Sequence, residues 1–378
     1  MHTPHVSSSF DSGNIVVRDG SDPGALRLEI APDAGDEHKQ WFHFRVSGAR
    51  GVPLVMHIEN AGQCSYPKGW EGYRACASSD RETWDRIDTH YQDGVLTLRD
   101  TPDADVVWYA YFAPYSFERH LDLIADCQAS PLARINRLGA TLDGRDLDRV
   151  VVGEPGDGRR TLWVIARQHP GESMAEWWME GFLARLLDPD DPVSRALRAR
   201  AVVHVVPNMN PDGAARGHLR CNAAGANLNR EWHAPTLARS PEVKLVRDAM
   251  DATGVDLCLD VHGDEALPYN FIAGSQGIPG WTDRLEGLLD AFLDAYKLAS
   301  PDFQTRVGYP VSAPGEANLS MCTSQVAQRF DCLAMTLEMP FKDNADAPDL
   351  EFGWSPERCR LLGAAALQPM LSLVDRLR

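Results

Sequence analysis

The chain has 378 residues, with 37 Lys plus Arg against 54 Asp plus Glu, for a formal net charge of −17. Hydrophobic residues make up 44% and charged residues 24%, ordinary for a globular protein and excluding a disordered or collagen-like chain. The length suggests two domains at ~100–200 residues each, and the acidic balance argues against a chain that coats nucleic acid or anionic lipid, both of which call for clustered Lys and Arg.

The opening MHTPHVSSSFDSGNIVVRDG has no basic start and no apolar run, so it does not read as a secretory signal. No stretch reaches the ~20 apolar residues of a membrane span. Residues 1–125 read as an N-terminal antiparallel β-sandwich domain. Trp41-Phe42-His43-Phe44-Arg45-Val46 alternates bulky and polar residues, and 53–58, 94–98 and 106–112 are further strands rich in β-branched and aromatic residues. Ser116 to Cys127 predicts a helix.

Residues 126–378 read as an α/β domain. Strands are expected at 149–152 and 161–166, around the turn Gly156-Asp157-Gly158, then at 201–206, 256–261 and 333–339. Helices are expected from Ser173 to Leu187, from Ser240-Pro241-Glu242 onward, over 281–297, and from Ser355-Pro356-Glu357 to Arg378. This alternation implies α/β architecture: a mixed, mostly parallel sheet flanked by helices. The eight cysteines are scattered without a C-x-x-C pair, so they read as reduced core thiols of a cytoplasmic protein rather than a zinc ribbon or redox motif.

His169-Pro170-Gly171-Glu172 carries the strongest local signal. It joins an apolar strand to a helix, where parallel sheets place their sites, and His and Glu three apart around a tight turn can converge on one ion. On its own the pair also fits a surface turn. A catalytic zinc takes a third protein ligand, and His262, ending Leu257-Cys258-Leu259-Asp260-Val261-His262, supplies it; the alternative is a capping or core His. Asp260 or Asp264 could orient a ligand imidazole. His204, inside Ala201–Val206, reads as a core residue. Glu338 in Met335-Thr336-Leu337-Glu338-Met339 is a carboxylate in an apolar strand, costly unless employed, and fits a general base; the alternative is an edge-strand Glu facing solvent. Between strands lie Asn208-Met209-Asn210-Pro211-Asp212-Gly213, Arg220 and Asn229-Arg230. A guanidinium fork suits a carboxylate or an oxyanion, and surface salt bridging is the other reading. Segment 216–230 carries Arg216, Arg220 and Arg230 and suggests a locally basic cleft.

Together these segments resemble the zinc metallocarboxypeptidases over roughly residues 130–340. The resemblance implies the carboxypeptidase fold and one Zn2+ per chain on His169, Glu172 and His262. It also implies Arg220 as an electrophile, Asn229 and Arg230 holding the substrate carboxylate, and Glu338 as base. Trp41-Phe42-His43-Phe44, Tyr111-Phe112-Ala113-Pro114-Tyr115-Ser116 and Asn227-Leu228-Asn229-Arg230-Glu231-Trp232 are similar to the cytosolic carboxypeptidase subgroup, which couples a front β-sandwich to the catalytic domain. The implied substrates are C-terminal peptide or isopeptide bonds of peptides and proteins, with no nucleic-acid or membrane partner. One departure concerns residues 316–325, where glutamate-specific members carry basic residues and this chain has none. For the mobile tyrosine of many members, Tyr309 and Tyr269 are the candidates. The rival readings are a zinc deacylase of small N-acyl amino acids and a non-catalytic binder of acidic C-terminal tails.

Overall fold

A computed structural model describes residues 4–378. Its front part holds two five-stranded sheets. One orders His5–Ser7, His43–Ser47, Val106–Ala110, Cys76–Ser78 and Asp85–Arg86; the other orders Val16–Asp19, Leu26–Glu29, Leu54–Ile58, Val95–Asp100 and Asp88–Gln92. Pairing is antiparallel except between Leu26–Glu29 and Leu54–Ile58, which run parallel. Leu54–Ile58 buries alternate residues, as a strand with one wet face should. The Trp41 to Phe44 stretch departs from alternation: all four are buried and the strand starts only at His43. Phe42 packs among Trp70 and Tyr111, and Tyr111 stacks at 4.3 Å on Phe341 of the other half of the molecule, so this stretch is covered from both sides.

The second part is a seven-stranded mixed sheet in the order Ala133–Ala140, Asp146–Val152, Ala201–Val206, Arg160–Ala166, Leu257–Asp264, Leu333–Pro340 and Phe271–Ala273. Its four central strands are parallel and its outer pairings antiparallel. Ala201–Val206, Leu257–Asp264 and Leu333–Pro340 are buried along their whole length, because helices cover both faces of a parallel sheet. In this register Val261 lies opposite Ala166 and His262 opposite Glu338, so three strands end at one edge.

Two local expectations are corrected. Ser240 makes no capping hydrogen bond to the helix Pro241–Thr253. The single last helix is two, Pro356–Ala365 and Leu367–Leu373, because Pro369 has no N–H to continue the ladder. The helix Phe117–Ala129, capped by Ser116 accepting Arg119 N–H at 3.1 Å, runs across residue 125, so we place the junction between the two parts just ahead of it, at 113–116. All eight cysteines are buried and unpaired, and no helix among the described residues is long and apolar enough to cross a membrane.

Candidate active site

The site begins where the Arg160–Ala166 strand stops. Arg167 has φ 58, a left-handed conformation that side chains other than glycine rarely adopt. Its buried guanidinium secures the bend: Nε donates to Pro170 O at 3.0 Å, and Nη1 donates to Tyr115 O at 2.8 Å and Glu176 Oε2 at 2.5 Å. The bend turns His169 and Glu172 into one space. Gly171 is required there, since a Cβ would lie 2.9 Å from Leu219 O, which already accepts the Gly171 N–H at 2.9 Å.

His169, Glu172 and His262 are all buried, and their donor atoms lie within 4.8 Å of one another. His169 Nδ1 is 2.7 Å from Glu172 Oε1, His262 Nδ1 is 2.8 Å from Glu172 Oε2, and the two Nδ1 atoms are 3.2 Å apart. The far side of each ring is occupied. His262 Nε2 faces Asp260 Oδ2 at 2.9 Å and His169 Nε2 faces Asn227 Oδ1 at 3.1 Å. Both partners are acceptors, so Nε2 carries a hydrogen and the two Nδ1 atoms face a common centre. Of the two aspartates that could orient a ligand, Asp260 takes the place, steadied by Gln168 Nε2 at 2.6 Å; Asp264 instead accepts the Tyr309 hydroxyl at 2.5 Å.

Charge supports the same centre. Burial and the Arg220 charge push His169 down to about 3, so it is a neutral donor. Burial opposes charge on His262 too, but Asp260 and Glu172 outweigh it and hold the ring well above the usual imidazole range. The carboxylates of Glu172 and Asp260 thus supply the negative charge beside the point where the Nδ1 atoms meet. Two imidazole nitrogens and one carboxylate are a donor set that zinc takes with a position left open, so the residues present fit that ion.

Glu338 faces this centre across the sheet. It is 7% exposed, and its Oε2 has no hydrogen-bond partner among the described residues. Burial, with Glu172, Asp264 and Glu265 nearby, holds it well above the usual carboxylate range, although His262 opposes this. Glu265 is also buried, and burial with Glu172 pushes it up to about 8.

On the other side, the Arg220 guanidinium makes no hydrogen bond among the described residues and sits 5.5 Å from the Tyr66 ring. Burial opposes its charge, but Tyr66, Glu265, Glu172 and Glu338 outweigh that. Arg230 is held below its ordinary range by burial and by the charge of Arg220. Asn229 Oδ1 accepts Cys322 N–H at 2.8 Å, while its Nδ2 makes no hydrogen bond among the described residues. Arg216 does not join them; it forks onto Asp143 at 2.8 and 2.6 Å. The locally basic cleft is thus Arg220 and Arg230 set against Glu172, Glu265 and Glu338.

Residues 6–112 match the cytosolic carboxypeptidase N-terminal domain family and residues 119–272 the zinc carboxypeptidase family. The crystal structure of a metallo-carboxypeptidase from Burkholderia cenocepacia is 48% identical, with a TM-score of 0.97 over 99% of this chain and 100% of that one. The chain belongs to the zinc carboxypeptidase family. It is a hydrolytic enzyme with a peptidase fold. A metallo-carboxypeptidase from Pseudomonas aeruginosa, in complex with (2-guanidinoethylmercapto)succinic acid, is 47% identical with a TM-score of 0.96 over 99% of this chain and 100% of that one. Cytosolic carboxypeptidase 2 of Danio rerio is 32% identical over 71% of this chain, which spans only 42% of that protein.

Sequence reasoning missed several residues of this candidate site. Asn227 stood in a quoted segment, and its spacing two before Asn229 was the only signal. Gln168 and Glu265 adjoin recognised motifs but belong to none. Tyr66 lies in the front part and is brought in only by the fold.

Proposed function

We propose that the enzyme is a zinc-dependent metallocarboxypeptidase that removes residues from free peptide or protein C-termini, or from isopeptide branches ending in a free carboxylate. The observation that carries this reading is the convergence of the His169, Glu172 and His262 donors beside the unpartnered Glu338 Oε2. Those three residues would hold one zinc ion per chain. Zinc bound there would supply Lewis-acid polarisation of the scissile carbonyl and acidification of water.

The chain's own groups do the rest. Glu338 accepts the proton of the attacking water. Its raised pKa suits it to hold that proton and pass it to the leaving amine. Arg220, charged and without a hydrogen-bond partner, lies ready for the oxyanion that develops on the carbonyl oxygen. Arg230 and the Asn229 Nδ2 take the terminal carboxylate, a contact that only the last residue of a chain offers. The ligand of the Pseudomonas aeruginosa relative is a succinic acid derivative, and its carboxylates are the chemistry these cations would receive here. Residues 316–325 hold no Lys or Arg, so that stretch builds in no selection for a C-terminal glutamate. The eight unpaired thiols support a reducing, cytoplasmic setting.

Digestion of a C-terminal peptide library by the zinc-loaded protein, read by mass, tests this. Losses are expected at the C-terminus alone; internal cleavage or no cleavage overturns the reading. Glu338→Gln should lower turnover ~10²–10⁴-fold with zinc retained by metal analysis. Full activity in that variant would remove Glu338 from the base role.

A further inference from the structure

We propose that the front domain is a working part of the catalytic cleft, and that Asp33 is the positioning residue for Arg220. This rests on Arg220 acting on the substrate as proposed above. Asp33 lies in the loop between the strands Leu26–Glu29 and His43–Ser47 and is 2% exposed. Its Oδ1 accepts Leu219 N–H at 2.6 Å; its Oδ2 accepts Arg220 N–H at 2.7 Å and Cys221 N–H at 2.8 Å. Three consecutive main-chain donors curl around one carboxylate, a nest of the kind that grips an anion. The residues joined are 186 to 188 positions apart in sequence.

The neighbouring contacts close the grip. Ala34 N–H donates to His218 Nε2 at 3.0 Å, which fixes the hydrogen on Nδ1, and Nδ1 then donates to Cys221 O at 2.9 Å. Asn14 Nδ2 donates to Gly217 O at 2.9 Å. Gly217 adopts φ 71, and a Cβ there would meet Gly13 O at 2.7 Å, so the two segments approach at a point only glycine permits. From the opposite side Leu219 O accepts the Gly171 N–H, so the segment is held between Asp33 and the turn that carries His169 and Glu172. Tyr66, also from the front domain, packs against the guanidinium itself.

The pattern is selective. Ser12 N–H to Ala215 O at 2.9 Å and Asn14 to Gly217 already tie the two domains together. Asp33 grips only the three residues centred on Arg220. Arg220 has no side-chain hydrogen bond to place it, so its main chain and the Tyr66 ring set where the charge stands. A displacement of ~1 Å at such a group costs about 10²-fold in rate.

The test is a double-mutant cycle on the zinc-loaded full chain with a peptide substrate. Asp33→Asn removes the charge at constant size, and kcat should fall ~10–100-fold with KM moving much less. In an Arg220→Ala background the same change should cost nothing further. An equal loss in both backgrounds, or no loss in either, overturns the proposal. Amide exchange gives a readout independent of activity: residues 217–222 should exchange faster in Asp33→Asn, with 257–264 unchanged and zinc content intact. Unchanged exchange at 217–222 overturns the clamp. If Arg220→Ala leaves turnover intact, the role proposed for Arg220 fails, and the exchange result still decides whether Asp33 holds the segment.

Discussion

The metal-donor side of the cleft and its arginine side are built in opposite ways. His262 and Glu338 stand opposite each other near the ends of adjacent parallel strands, where sheet register fixes their spacing, and His169 follows three residues after the neighbouring strand ends, on the bend that Arg167 secures. Arg220 stands on irregular chain after the short helix Pro211–Arg216, and Arg230 ends the 3-10 turn Leu228–Arg230, outside any strand of the sheet. Strand ends are rigid because both faces of the sheet are buried. The loop side gains comparable order from charge-assisted bonds that arrive from the front domain and from Asn222, whose Oδ1 accepts Ala224 and Ala226 N–H, each at 3.0 Å. One side of the cleft is a product of the fold's core, the other of an interface between two parts of the chain.

Substitutions that separate metal holding from substrate handling sharpen the contrast most. His262→Ala removes one of three donors and leaves Glu172 and Asp260 unbalanced around the centre. Zinc content after dialysis should fall from one per chain toward zero, and peptide turnover should vanish with it; full zinc content would place His262 outside the site. Arg220→Ala should do the reverse, retaining zinc while kcat falls ~10²–10³-fold, the usual loss for an oxyanion-stabilising group. A loss of zinc in that variant would join the two sides that the geometry keeps apart.

The same contrast governs what could be read in advance. Among the candidate site residues, His262 and Glu338 were legible because each is a polar residue in an apolar strand, and His169 and Glu172 because they stand three apart on a strand-to-helix turn at the edge where parallel strands bring their carboxyl ends together. Arg220 and Arg230 were legible as possible carboxylate or oxyanion partners, but the role of each came only through the resemblance, since an arginine in a loop looks the same whether it binds substrate or an acid nearby. Arg216 shows the hazard: it shares their segment and pairs with Asp143. Asp33 and Tyr66 left no trace, because their effect depends on contacts that no local pattern encodes. The kink at Ala366 was legible in principle, through Pro369.

A smaller effect is expected one layer out from the metal. Asp260 accepts from His262 Nε2 at 2.9 Å and Gln168 Nε2 at 2.6 Å. Asp260→Asn keeps the shape but withdraws the charge that makes the ring a strong donor. Zinc affinity, measured by competition with a chelator, should weaken ~10–100-fold, with the kcat of the fully loaded enzyme affected less. An unchanged affinity would mean that Glu172 alone sets the charge at the centre.

The mildest change lies behind the arginine segment. Glu242 lies in the first turn of the helix Pro241–Thr253, its side chain buried, accepting Asn222 Nδ2 at 3.1 Å and leaving Oε1 without a partner among the described residues. Burial pushes it up from 4.5 to about 7. Between those values the folded chain binds the proton and the unfolded chain releases it, so stability falls as pH rises through the window and stays lower above it. The displacement corresponds to about 3 kcal/mol at most. Glu242→Gln keeps an acceptor for Asn222 and removes the titration. Urea midpoints of the variant should stay level from pH 5 to 8 relative to the falling midpoint of the parent, with turnover at pH 7 within about twofold. The arginine side would then tolerate a change in the electrostatics of its support as long as the hydrogen bond to Asn222 persists. An equal slope in both proteins would mean that Glu242 does not titrate in this range and that Asn222 is held by a carboxylate already charged.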